Sequence, residues 1–164
     1  MSLRQINIIG SIDWESFKEF NEQMNMLESS SSTKKINIHL ASDGGEVHPA
    51  LAFSSRIRLS PCDIIITAMG NVASAATLIL ATGDVRLMAK ECWVMVHEDS
   101  GGIEEDLSSR TKTLRQDQAL DDQWNCLMEQ YTGVPVAEWV RLNRATSYFT
   151  AEECLELNLI DKVI

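Results

Sequence analysis

The sequence predicts an α/β protein with mostly parallel strands, and three observations predict it. Short β-rich runs alternate with segments whose apolar residues recur every three or four positions, the mark of strand–helix–strand units. One run, Asp63–Met69 (DIIITAM), is apolar almost throughout, as expected of a strand covered on both faces. Glycine-bearing joints from strand to helix also recur, at Gly44-Gly45 and at Gly70–Ser74. With 164 residues, the whole span 1–164 reads as one compact domain. That length buries a core without disulfides or metal.

The elements follow in order. Gln5–Ile9 reads as the first strand. Trp14, Phe17, Phe20, Met24 and Leu27 mark one face of a helix that Asp13 is placed to cap. Ser29–Thr33 reads as a surface loop leading to a strand at Lys35–Leu40. Ala41–Gly45 reads as a turn, and Val47–Leu59 as a helix closed off by Pro61. After Asp63–Met69, Gly70–Val72 reads as a turn and Ala73–Ala81 as a buried, small-residue helix. Val85–Met88 and Cys92–His97 are two further strands. Leu107, Leu114, Leu120, Trp124, Leu127, Met128 and Tyr131 stripe a long helix over Glu104–Tyr131, which Gly133 stops. Pro135 suits the first turn of the next helix. Thr150 and Glu153 form a capping box for a last short helix, and Leu159–Ile164 reads as the final strand.

Composition excludes several function classes. Acidic residues outnumber basic ones 24 to 14, for a net charge of −10, so nucleic acid is not an expected partner. No apolar run reaches the roughly 18 residues that span a bilayer. The N-terminus lacks the long apolar core of a signal peptide. The four cysteines include no CxxC pair and read as free thiols, which places the chain in the cytoplasm. The acidic cluster Glu104-Glu105-Asp106 reads as a complement to a helix N-terminus. No metal site or cofactor is expected.

Chemistry is expected at the glycine-bearing joints. There, backbone N–H groups unpaired at a helix start can face a ligand, and glycine permits close approach. Ser74 stands at such a joint, either as a helix N-cap or as a nucleophile facing an oxyanion site. A nucleophile needs a base, and the sequence holds three histidines. His39 sits on a strand with a surface pattern and His48 in a polar helix start. His97 ends an apolar strand and is the best base candidate.

These residues carry a resemblance. Gly70–Ala76 (GNVASAA) resembles the serine motif G-x-A-A-S-x-G/A of the caseinolytic (Clp) peptidases. Ala41–Gly45 (ASDGG) resembles their N-S-P-G-G turn. Val94–His97 with Gly101-Gly102 resembles V-M-I-H-Q-P-x-G-G. Tyr131–Gly133, Thr150–Cys154 and Leu159–Ile164 resemble further stretches, all in family order from about Gln5 to Ile164. The resemblance implies the ClpP/crotonase-like fold, stacked β-α units with a protruding handle helix at about 103–132. It implies Ser74 as nucleophile, His97 as base, and an oxyanion hole from the N–H groups of Gly44 and Ala75. Gly45 and the strand opened by Gly101-Gly102 would bind an extended peptide or unfolded chain. It further implies a homo-oligomer of heptameric rings, single or stacked.

The sequence departs from that pattern in four places. Thr146 stands where the family has its triad Asp, four residues before Thr150, and offers a hydroxyl without charge. This implies a slowed peptidase or a carboxylate recruited from elsewhere. Asn37 and His39 replace an aromatic pair, and little chain precedes the first strand. Both weaken the expectation that a Clp ATPase docks. Asp43 replaces the proline of the glycine turn. The other readings are a catalytically impaired subunit of a mixed particle, an acyl-CoA enzyme of the crotonase group, and a Ser-Lys peptidase using Lys90.

Overall fold

The structure is a computed structural model and describes residues 4–31, 33–98 and 107–164. Its strands are β1 (Gln5–Ile12), β2 (Ile36–Gly45), β3 (Ile64–Ala73), β4 (Val85–Met88), β5 (Trp93–Val96), β6 (Ser147–Phe149) and β7 (Lys162–Val163). Its helices are α1 (Trp14–Ser30), α2 (Val47–Arg58), α3 (Ala75–Ala81), α4 (Leu107–Thr132), α5 (Val136–Arg144) and α6 (Ala151–Glu156). The sheet runs β1-β2-β3-β4-β7, with β5 set between β3 and β6. Every described pairing is parallel except β5–β6. The mixed α/β architecture with a mostly parallel sheet is the one the sequence predicts.

Alternation sets the core. Ile36, Ile38 and Leu40 of β2 and Ile64, Ile66 and Ala68 of β3 are fully buried on one face. Residues between them, such as Ile65 and Thr67, are only half-buried, so Asp63–Met69 is less covered on its second face than its composition implies. α1 and α2 close the core through Phe20 and Phe53, whose ring centroids lie 4.8 Å apart. Asp13 caps α1 as expected, in a reciprocal box with Ser16. Thr150 and Glu153 cap α6 in the same way.

The structure corrects two turns. Ala41–Gly45 stays in the sheet, because Ser42 pairs with Val72 and Gly44 with Ser11 after a register shift. Gly70–Val72 is no turn either. β3 pairs with β4 through Ile65–Ala68 and with β5 through Asn71–Ala73. Gly70, at φ +64, lies between those two pairings. Residue 70 thus lets the strand change partner without reversing. β6 was not expected, and β7 is shorter than Leu159–Ile164.

The long helix is α4. The expected start at 103–106 lies outside the described residues, and Trp124 and Met128 of α4 pack into the core. No described helix is long and apolar enough to cross a membrane. All four cysteines are free thiols.

Candidate active site

Register brings the candidate residues together. Ala73 at the end of β3 pairs with Met95 of β5, and the Ser74 N–H donates to the Met95 carbonyl at 2.8 Å. Ser74 follows the first strand and His97 follows the second, so both side chains emerge at the same edge. His97 Nε2 lies 2.9 Å from Ser74 Oγ.

The backbone of Ser74 is strained, with φ 54 and ψ −129, a region that side chains avoid. Its hydroxyl makes no capping bond to α3, so it is not an N-cap in the side-chain sense. A serine forced onto a sharp strand-to-helix turn presents its Oγ outward, as nucleophile elbows do. Gly44 packs against this turn. A Cβ on residue 44 would stand 2.7 Å from Ser74 Cβ and from the Ala73 carbonyl, and 3.2 Å from Ala75 N. Gly45 is equally constrained, because a Cβ there would meet the backbone of Ile12.

Ala75 opens α3, so its N–H has no acceptor within the helix. The Gly44 N–H is engaged, donating to Ser42 Oγ at 3.0 Å, while Ser42 Oγ donates to the Gly10 carbonyl. An oxyanion would therefore share or displace the Ser42 hydroxyl. Asp43 does not enter the cleft. Its carboxylate is exposed and accepts from Asn71 Nδ2 at 2.7 Å.

Ser74, Ala75, His97 and Gly45 line a cleft of about 40 Å³. Val47, Val96, Leu120 and Trp124 form its apolar walls, and Asp121 and Asn143 are its other polar residues. From the sequence, Asp121-Asp122 reads only as a solvated helix face and Asn143 carries no signal, yet Asp121 and Asn143 both line the cleft. Thr146 is exposed, with φ 49, and its hydroxyl makes no hydrogen bond to His97. Gly101 and Gly102 lie outside the described residues. His39 is half-buried and takes a hydrogen bond from Gln5, and His48 is exposed. Lys90 is exposed between β4 and β5 and does not line the cleft. Among the described residues, no cluster of His, Cys, Asp or Glu is arranged to hold a metal.

A family model described as Clp protease matches residues 1–164. This chain belongs to the Clp protease family. Membership makes it a relative of peptidases that typically assemble as oligomeric rings and act on peptides or proteins.

Proposed function

We propose that this Clp-family chain is a serine endopeptidase that cuts short peptides or unfolded chains. The observation that carries the reading is the 2.9 Å approach of His97 Nε2 to an Oγ held on a strained strand-to-helix turn. His97 takes the Ser74 hydroxyl proton as Oγ attacks the scissile carbonyl. The N–H groups of Ala75 and Gly44 hold the developing oxyanion. The imidazolium then gives its proton to the leaving amine, and water attacks the acyl-enzyme by the same base. Gly45 and the Gly101-Gly102 segment align the extended substrate by strand addition.

The base works without the carboxylate that the family places at the position of Thr146. A neutral group there cost a serine protease about 10⁴ in turnover, so slow catalysis is expected. The proposed particle is a homo-oligomeric ring working on peptides unaided. Asn37 and His39 in place of the aromatic pair argue against ATPase-driven digestion.

The test is intact-mass analysis after a fluorophosphonate, with Ser74→Ala as the control. One adduct that disappears in Ser74→Ala is the expected result. A folded, ring-forming protein that gains no adduct would overturn the reading. It would favour an impaired subunit of a mixed particle, a reading that the engaged Gly44 N–H also favours.

A further inference from the structure

We propose that Asn143 Oδ1 accepts the Nδ1–H of His97 in the working enzyme, which makes Asn143 the positioning residue of the site. The inference rests on the peptidase reading above and supplies the third group that Thr146 does not.

For His97 Nε2 to take a proton from Ser74, the ring's own proton must sit on Nδ1. That N–H then needs an acceptor, and no described residue bonds to it. Asn143 has the complementary defect. The residue is 7% exposed. Its Oδ1 is the one buried side-chain oxygen or nitrogen without a partner among the described residues. Buried polar atoms are rarely left so, and each such atom calls for an explanation. The donor and the acceptor line the same cleft.

The orientation of the Asn143 amide is fixed by a chain of bonds. The Asp121 carbonyl can only accept, and Asn125 Nδ2 donates to it at 2.8 Å. Asn125 Oδ1 therefore faces Asn143, whose Nδ2 donates to it at 2.9 Å. Turning the Asn143 amide over would set two oxygens against each other, so Oδ1 is the atom left to point elsewhere. The backbone also holds the two residues near one another. The N–H of Glu98, next after His97, donates to the Asn143 carbonyl at 3.1 Å. The Asn143 main chain is thus one hydrogen bond from the residue that follows His97.

A neutral amide holds the tautomer but lends the imidazolium no charge. Asn143→Asp supplies both, and Asn143→Ala supplies neither. The experiment measures fluorophosphonate labelling of Ser74, peptide kcat and KM, and the ¹⁵N spectrum of His97. Asn143→Ala should slow labelling by roughly tenfold or more with KM little changed, and should move His97 towards the Nε2–H tautomer. Asn143→Asp should restore labelling to at least the starting rate and raise the pH at which it is half-maximal. Among the described residues, Asp121 and Asp122 on α4, Glu98 after β5 and Arg144 at the end of α5 are the charged groups around this wall, and they are common to all variants. The proposal is overturned if Asn143→Ala labels at the starting rate with an unchanged His97 spectrum. It is equally overturned if the tautomer shift follows Thr146→Ala instead. Should Asn143→Ala fail to fold, the spectrum of the unaltered protein still decides. A protonated Nδ1 whose resonance moves in Asn143→Asp supports the pairing, and a protonated Nε2 at neutral pH overturns it. Because that spectrum needs no turnover, loss of the peptidase reading through absent labelling is distinguishable from loss of this one.

Discussion

Ser74 holds its position because Gly44 leaves room for it. The strained φ and ψ of Ser74 persist only while the surroundings enforce them. Part of that enforcement is the Gly44 backbone, which lies where any side chain would strike Ala73 O and Ser74 Cβ. Gly44 also sits at φ +97, which L side chains rarely adopt. Gly44→Ala is therefore expected to push the turn away, cutting Ser74 labelling by about 10² or more, since a shift of about 1 Å costs that much. Thermal melting should fall as well, and a variant that melts and labels like the parent would refute the packing argument. At this scale Ser74, His97 and Gly44, which the structure brings together, could be picked out as candidates because each sits in a short local pattern. The sequence did not show Asn143. The role of Asn143 depends on how α5 sits against the end of β5, and the spacing that serves other members points instead to Thr146, which is exposed.

Elements were legible in proportion to how local their causes are. Both capping boxes could be read because an Asp or Thr and its partner three residues on satisfy each other without help from the rest of the fold. β6 and β7 have three and two residues, too few for any periodicity to register. The two mistaken turns share one cause. Glycine usually ends a strand, but β3 passes through Gly70 to pair with β5, a partner some 20 residues downstream. That exchange separates the serine-bearing tip of β3 from the β4 side of the sheet and sets it beside His97. A local prediction belongs here. Thr150→Ala removes the side-chain acceptor of the Glu153 N–H and should cost about 1 kcal/mol. For a chain of this size that is a fall in melting temperature of about 2–4 °C. A fall well beyond that would mean Thr150 holds more than the end of α6.

At the scale of the molecule, ionisable groups bound the pH range in which the chain is stable. Arg86 is buried and joins three regions: it donates to the carbonyls of Tyr131 and Asn158 and to both carboxylate oxygens of Asp161. The Arg86 hydrogen bonds hold the Asp161 carboxyl below its usual range, against the opposing effect of partial burial. The Arg56 hydrogen bond likewise lowers Glu28. A lowered acid contributes stability above its unfolded pKa of about 4 and loses it as the pH falls through the folded value. On the acid side, stability should therefore decline below about pH 4.

The alkaline limit has a different source, and it can be isolated. Burial pushes the Cys92 thiol up to about 11 and, with the Cys92 charge adding to it, the Cys154 thiol up to about 12. An unfolded thiol ionises near 8.5, so unfolding releases protons at high pH and the folded state loses ground. These two thiols contribute their full share below about pH 8.5 and lose it as the pH rises through the folded values. Urea midpoints measured from pH 7 to pH 10 should fall across that interval. Lysines and tyrosines titrate there too, so the slope alone decides nothing. The comparison with Cys92→Ala/Cys154→Ala does. Replacing the thiols lowers the midpoint at every pH through lost packing, but it should flatten the decline above pH 8.5. An unchanged slope in the double variant would mean that other groups set the alkaline limit. A flattened one would show that the same burial which keeps these thiols unreactive also fixes the upper pH edge of the fold.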